Sequence, residues 1–147
     1  MPVDTIAIAS DHAGFGLKFM LQEELAELGF VVLDLGTNDT QSVDYPNFAY
    51  ALTAAVRDGR VERGVLVCGS GIGISIAANR APEIRAALIH DAFGARMARR
   101  HNDANVICFG GQTIGFDVAR DCLRIFLETE FEGGRHALRI DKLNNPT

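Results

Sequence analysis

The sequence predicts a doubly wound (Rossmann-like) α/β fold, a three-layer sandwich with a five-stranded parallel sheet and a C-terminal helical tail. Two observations support this prediction. Short apolar runs rich in β-branched residues alternate with longer stretches of helical period, which is the pattern of βα units. Each run is also almost continuously apolar, as expected for parallel strands covered on both faces. The predicted strands are residues 5–9, 31–35, 64–68, 86–90 and 106–109.

The first predicted helix follows the first strand and carries an apolar stripe with spacings of three and four residues. The stripe consists of Leu17, Leu21, Leu25 and Leu28, backed by Phe15 and Phe19. Gly29 is a plausible C-terminal cap, so the helix should end there. The opposite face is predicted to be polar, with Lys18, Gln22 and Glu23.

The later helices follow the same logic. A second helix over residues 47–57 should turn Phe48, Leu52, Ala55 and Val56 inward, and a third begins inside a glycine-rich turn. Asp91 is a predicted N-cap for a fourth helix, which holds Ala95, Met97 and Ala98. A fifth helix over 115–128 has a predicted buried stripe of Val118, Cys122, Ile125 and Phe126, and a short tail covers 135–143. The longest irregular segment, 36–46, follows the second strand, where loops often carry functional residues.

Length and composition exclude several classes of protein. A chain of 147 residues with 48% hydrophobic content predicts one core and a single domain over residues 1–147. The net charge of −5 argues against a nucleic-acid partner or an anionic membrane partner. No stretch resembles a signal peptide, and none reaches the roughly 18 apolar residues of a membrane span. Three cysteines without a C-x-x-C spacing fit a reducing cytoplasm, and no His/Cys spacing resembles a zinc site.

The segment with the clearest chemistry runs from Cys68 to Gly73, with the sequence Cys-Gly-Ser-Gly-Ile-Gly. An apolar strand leads into this glycine-rich turn, and the turn opens a helix. Such a turn can direct several unpaired backbone N–H groups at one point, and the helix adds its positive end, so an anion is favoured there. A cysteine in that electropositive setting can serve as a base or a nucleophile. The alternative is that the glycines only make a tight turn and that Cys68 is a small core residue.

Better-known glycine motifs do not fit this turn. Ile74 occupies the third glycine position of a dinucleotide-binding G-x-G-x-x-G, and the G-K-[ST] ending of a P-loop is missing. Cys68 stands where the G-x-S-x-G nucleophile elbow has its first glycine. A nucleotide-binding role is therefore disfavoured.

Other candidates lie near predicted strand or helix ends, and each has a structural alternative. Asp11 and His12 follow the first strand at the same sheet edge as Cys68, although Asp11 alone could cap the first helix. His101 and Asn102 follow the fourth helix, where a histidine is often only a dipole partner. Arg135 and Arg139 are spaced i, i+4 and could grip a phosphate or simply be solvated. Cys108 and Cys122 are interpreted as structural, and His90 as either structural or a support for residues of the site.

Taken in order, five motifs resemble the type B ribose-5-phosphate isomerases. They are Ser10–Gly14, Asp44-Tyr45-Pro46, Cys68–Gly73, His101-Asn102-Asp103 with Asn105-Val106, and Glu132–His136. The resemblance covers nearly the whole chain. The wider group includes galactose-6-phosphate and allose-6-phosphate isomerases and isomerases of shorter sugar phosphates.

The resemblance implies an aldose–ketose isomerisation through a cis-enediolate, with no metal or other cofactor. It implies that Cys68 is the base that moves a proton from C2 to C1 and that His101 is the acid/base that opens the furanose ring. Some relatives instead carry a glutamate base farther along the third helix, where this chain has Ile76 and neighbours without a carboxylate. The implied substrate-binding residues are Asp11, His12, Tyr45, Gly69, Ser70, Gly71, Ile72, Gly73, Asn102, Arg135 and Arg139.

The implied partners are a sugar phosphate and a second copy of the chain. The tail follows the fifth βα unit, so a neighbouring subunit of a homodimer or tetramer is expected to supply His101 and the arginines. The leading function is interconversion of D-ribose 5-phosphate and D-ribulose 5-phosphate in the pentose phosphate pathway. The alternatives are the same chemistry on a tetrose or hexose phosphate, a sugar-phosphate sensor without activity, and a nucleotide-binding module.

Overall fold

The computed structural model describes residues 4–147 and contains one five-stranded sheet in the order β2-β1-β3-β5-β4. All four strand pairs are parallel, as predicted. The central strands β1, β3 and β5 are almost wholly buried, whereas the edge strands are partly exposed. The strands are β1 Thr5–Ser10, β2 Val31–Asp34, β3 Arg63–Cys68, β4 Ala86–Leu88 and β5 Val106–Gly110.

Helices cover both faces of the sheet, which completes the three layers. The helices are α1 Phe15–Glu27, α2 Tyr45–Arg57, α3 Ile72–Ala78, α4 Ala92–Arg100, α5 Phe116–Glu128 and α6 Arg135–Asn144. Residues from α1, α4 and α5 pack on one face, and residues from α2 and α3 pack on the other. Alternate residues along a strand pack into the two cores. In β3, for example, Val65 and Val67 belong to the first core, whereas Leu66 and Cys68 belong to the second.

Most of the predicted helix stripes are buried, and Asp91 caps α4 by accepting a hydrogen bond from the Gly94 N–H at 2.7 Å. Leu28 and Phe19 of α1 and Val118 of α5 are exposed instead of buried. In α5, Ala119 and Leu123 take the inward positions next to Cys122 and Phe126.

Lys18 departs most from the predicted pattern. It was expected on the polar face of α1, but its side chain is fully buried. Its ammonium donates to Asp34 Oδ1 at 2.8 Å and lies 5.7 Å from the centre of the Phe15 ring. A charge this deeply buried needs a partner, and Asp34 at the end of β2 supplies one.

No helix among residues 4–147 is long and apolar enough to cross a membrane.

Candidate active site

The carboxyl ends of the three central strands meet at one edge of the sheet, where ligands bind in open parallel sheets. Backbone hydrogen bonds tie the segments that leave these strands. The Asp11 N–H donates to the Val67 carbonyl at 3.2 Å, and the Gly111 N–H donates to the Cys68 carbonyl at 2.8 Å. The residues after β1, β3 and β5 therefore form one connected surface, which we call the carboxyl-edge cluster. Its predicted members are Asp11, His12, Tyr45, Cys68, Gly69, Ser70, Gly71, Ile72 and Gly73.

Cys68 ends β3, and its side chain is only 4% exposed. The backbone N–H of Gly71 points at its sulfur, with N and Sγ 3.2 Å apart. Gly71 adopts a left-handed conformation with φ +77°, which turns this N–H back toward the strand. A donor in this position stabilises negative charge on the sulfur, so the turn can support a thiolate.

Asp11 and His12 are held by the backbone around them. Asp11 Oδ1 accepts a hydrogen bond from the Gly14 N–H at 3.0 Å, and this carboxylate is almost fully buried. Gly14 is itself the N-cap residue of α1 and no side chain caps this helix, so Asp11 fixes the turn before α1 and does not cap it. His12 Nδ1 accepts from the Val43 N–H at 3.1 Å, which ties the segment after β1 to the loop over residues 36–46. This bond places the ring proton on Nε2, which can then donate to a ligand.

Tyr45 borders the glycine turn from the other side. It is the first residue of α2, and its ring lies against Gly73. A Cβ added to Gly73 would lie 2.5 Å from Tyr45 Cζ. The third glycine of the turn therefore leaves room for an aromatic ring beside the candidate anion hole.

Sequence reasoning did not identify Gln112, which also lies at this edge. Its backbone N–H donates to the Gly69 carbonyl at 2.9 Å, and its side-chain oxygen would lie 3.3 Å from a Cβ on Gly69. The signal was its position directly after Gly110-Gly111 at the end of β5.

The remaining predicted residues lie at the opposite edge of the sheet. In a βα unit the helix runs back along its strand, so α4 ends where the strands begin. His101 caps the C-terminus of α4. Two residues later, the Asp103 carbonyl accepts a hydrogen bond at 2.8 Å from Arg85, which directly precedes β4. Arg85 also donates to Asn144 Oδ1 at 3.0 Å, which places the end of α6 at this edge.

The second group, which we call the amino-edge cluster, contains His101, Asn102, Arg135 and Arg139. The nine residues of α4 span about 13 Å, so this cluster and Cys68 are separated by roughly the height of the sheet. A pocket of about 380 Å³ includes Asn102 but none of the other predicted site residues. The structure thus brings the predicted residues together in two clusters rather than one.

Two residues of the amino-edge region were quoted in a motif without a predicted role. Glu132 Oε1 lies 3.6 Å from Nε2 of His101 and 3.6 Å from Nε2 of His136. The two imidazoles stack, with ring centres 4.3 Å apart and planes inclined by 13°. Burial is the main influence that lowers the pKa of His136, and the neighbouring His101 and Arg135 add to it. The sequence signals for Glu132 and His136 were their i, i+4 spacing and their place in the Glu132–His136 motif.

Cys108 and Cys122 have the structural character predicted for them. Both are free and buried. Burial raises the pKa of the Cys108 thiol far above its usual range, and burial also raises that of Cys122 to about 11. Neither thiol is suited to proton transfer near neutral pH.

Comparisons with known proteins identify the family of this chain. The family model described as Ribose/Galactose Isomerase matches residues 6–143. Ribose-5-phosphate isomerase B of Escherichia coli (strain K12) is 41% identical over 138 residues, which is 94% of this chain and 93% of that protein. D-erythrulose-4-phosphate isomerase of Pectobacterium atrosepticum is 40% identical over 140 residues, covering 95% and 92% of the two chains.

The fold is also similar to solved structures. Ribose-5-phosphate isomerase B of Clostridium thermocellum superposes with a TM-score of 0.94, at 46% identity, over 95% of both chains. Matches of this extent in sequence and structure show that the chain belongs to the Ribose/Galactose Isomerase family.

Proposed function

We propose that this chain is a type B ribose-5-phosphate isomerase that interconverts D-ribose 5-phosphate and D-ribulose 5-phosphate through a cis-enediolate. One observation carries the proposal: a buried thiol, Cys68, faces the backbone N–H of a glycine turn at the carboxyl edge of a parallel sheet. The relatives with this name match the chain over nearly its whole length.

The base in this proposal is the Cys68 thiolate. It takes the proton from C2 of the open-chain aldose and returns it to C1. The C1 carbonyl oxygen carries the developing negative charge and receives the proton of the C2 hydroxyl, so that C2 becomes the carbonyl carbon of the ketose. Backbone N–H groups in the segment Gly69 to Gly73 stabilise that charge, and one such donor is typically worth about 100-fold to 1,000-fold in rate. Because Gly71 packs closely against Leu88 and the backbone of β5, the turn is held in place and the donors need no rearrangement during the reaction.

The other members of the carboxyl-edge cluster hold the substrate. The Asp11 carboxylate is suited to a sugar hydroxyl, and the free Nε2–H of His12 is suited to an anionic or hydroxyl oxygen. Tyr45 and Ser70 flank the same turn and supply further hydroxyl groups. These contacts orient C1 and C2 against the sulfur.

The amino-edge cluster acts in this proposal on the site of a second copy. His101 opens the furanose ring, Asn102 binds substrate hydroxyls, and Arg135 and Arg139 bind the phosphate. These residues lie about the height of the sheet from Cys68 of the same chain, so an isologous homodimer, in which each chain lends its amino-edge cluster to the other, completes both sites. Pairing of two dimers into a tetramer is compatible with this arrangement.

Complementation between two inactive variants tests the shared site. Chains with Cys68→Ala and chains with His101→Gln are each expected to be inactive alone. Mixed through unfolding and refolding, half of the dimers become heterodimers, and one of the two sites in each heterodimer is intact. Activity should therefore return to about a quarter of the wild-type value. If each chain completes its own site, no activity returns.

The choice of sugar phosphate needs its own experiment, because a relative at 40% identity acts on a four-carbon sugar phosphate, as its name states. We expect kcat/KM to be highest on ribose 5-phosphate, compared with erythrose 4-phosphate, D-erythrulose 4-phosphate and allose 6-phosphate. A higher kcat/KM on a tetrose phosphate or a hexose phosphate would leave the proposed mechanism unchanged and identify that sugar phosphate as the substrate instead. Binding without turnover of any of them would indicate a sensor.

With ribose 5-phosphate as substrate, we place the enzyme in the pentose phosphate pathway as a single isomerase domain. A cytoplasmic location is favoured by three free cysteines, since disulfides are rare in reducing compartments. The reaction as written uses only proton transfers and requires no metal or organic cofactor.

A further inference from the structure

Three side chains that ligate metal ions well come together at the end of α4. His101, Glu132 and His136 each offer one ligand atom, and these three atoms lie within 4.8 Å of one another. We propose that they form a binding site for a transition-metal dication such as Zn²⁺, and that the bound ion prevents His101 from transferring protons. The site is inhibitory rather than a cofactor site.

The distances suit a single ion. Nε2 of each histidine lies 3.6 Å from Glu132 Oε1. Zinc binds histidine nitrogen at about 2.0–2.1 Å and carboxylate oxygen at about 2.0–2.2 Å, so tetrahedral ligand atoms lie between three and four ångströms apart. The stacked rings direct both Nε2 atoms toward the same carboxylate. The lone pair of each nitrogen lies in its ring plane, so the exposed His101 ring must rotate out of the stack before both nitrogens point at one ion.

The three segments that carry the ligands are fixed by the backbone. The Glu132 N–H donates to the Arg100 carbonyl at 3.1 Å, next to His101. The His136 N–H donates to the Gly133 carbonyl at 3.1 Å, which sets the start of α6. His136 is 6% exposed, whereas His101 and Glu132 are open to solvent. The backbone of the three segments is therefore fixed, and the site is accessible from one side.

The ring nitrogens of both histidines are free to bind an ion. Among residues 4–147, neither imidazole makes a hydrogen bond to another side chain or to the backbone, so their nitrogens are available. Arg135 and Arg139 lie near His136, and their positive charges oppose the binding of a cation. We therefore expect micromolar rather than nanomolar affinity.

The ligand set selects the class of ion. Two imidazoles and one carboxylate match a known zinc ligand set that leaves a fourth position for water. Magnesium and calcium prefer oxygen ligands and should bind poorly here. Copper(II) and nickel(II) share the preference for imidazole, so they should also bind.

The functional consequence rests on the proposed role of His101. An imidazole nitrogen bound to a metal cannot exchange a proton with the ring oxygen of a furanose. Zn²⁺ is thus expected to inhibit turnover of the cyclic substrate, and a chelator should restore activity.

Binding itself is tested without any activity. The assay uses full-length protein carrying Cys68→Ser, which removes the active-site thiol as a competing zinc ligand. Zn²⁺ is titrated by calorimetry, and Co²⁺ is titrated by its visible absorption, which is intense when the ion is tetrahedral. We expect one ion per chain. Glu132→Gln, His136→Gln and His101→Gln should each weaken binding at least about tenfold, and the matched control His90→Gln, an exposed histidine outside the cluster, should not.

Three results would overturn the proposal. One is the lack of micromolar Zn²⁺ binding, and another is binding that all three cluster variants leave unchanged. The third is a Mg²⁺ affinity equal to that for Zn²⁺. Because His136 is buried, its variant is first checked for folding, and if it is unfolded the exposed Glu132→Gln variant decides. Zinc binding without chelator-reversible inhibition would refute the inhibitory role alone. None of these binding results depends on which sugar phosphate, if any, is the substrate.

Discussion

Substitution of Gly71 by alanine should destabilise the protein strongly, because this glycine meets two separate constraints. Its φ of +77° lies in the left-handed region, which costs an L-residue about 1–2 kcal/mol. The new Cβ would also lie 2.5 Å from Leu88 Cδ1 and 2.8 Å from the Phe109 carbonyl carbon. Leu88 can move, but the backbone of β5 cannot, and such overpacking typically costs about 1–3 kcal/mol. Together these give a loss of about 2–5 kcal/mol.

Urea unfolding measures this loss, with an unchanged slope showing that the same cooperative transition is observed. Gly16→Ala is the matched control, since nothing lies within 4 Å of its Cβ position and it sits inside α1. It should stabilise the protein by about 0.5–1 kcal/mol. A loss below about 1 kcal/mol for Gly71→Ala would show that the turn is soft, and the fixed anion hole would then lack support.

Further predictions concern the buried ion pair of Lys18 and Asp34 and the Tyr45 ring beside the glycine turn. Asp34→Ala should lower the free energy of unfolding by about 3–5 kcal/mol, because it leaves the buried Lys18 unpaired. Lys18→Met leaves a carboxylate that is 32% exposed, so its loss should be less than half as large. Urea unfolding measures both losses. Burial alone would raise the pKa of Asp34, but the hydrogen bonds from Lys18 and the backbone hold this pKa below its usual value. The stabilisation of the folded state by the Asp34 carboxylate should therefore be complete above about pH 4 and be lost at lower pH. Wild type should accordingly lose more stability on acidification than Asp34→Ala. Gly73→Ala should displace the exposed Tyr45 ring, lowering kcat/KM with little change in unfolding free energy; an unchanged kcat/KM would remove Tyr45 from the site.

The fold was predictable because its signals are local. Buried parallel strands read as continuous apolar runs, and Asp91 marks the start of α4 by its side chain alone. Lys18 was not predictable in the same way, because its burial depends on Asp34, a residue of another strand. No periodicity within α1 indicates that a lysine on its polar face meets a carboxylate from β2.

In the candidate site, too, only the residues placed by local signals could be predicted. Asp11 and Cys68 each follow a central strand, so strand topology alone brings them to one edge. The stacking of His101 on His136 depends on where α6 packs after a turn of two glycines, and the sequence contains no pattern that specifies this position. Sequence patterns therefore identified His101 but not the histidine and carboxylate that contact it.

The central claim is that Cys68 is the base that moves the proton between C2 and C1. The most direct test follows ribose 5-phosphate in deuterated water by NMR, comparing isomerisation and deuterium incorporation at the transferred carbon in wild type and Cys68→Ala. Wild type should isomerise the sugar and incorporate deuterium, and the variant should fold normally while both rates fall by about 100-fold to 10,000-fold. A Cys68→Ala protein that isomerises and exchanges at the wild-type rate would contradict the mechanism.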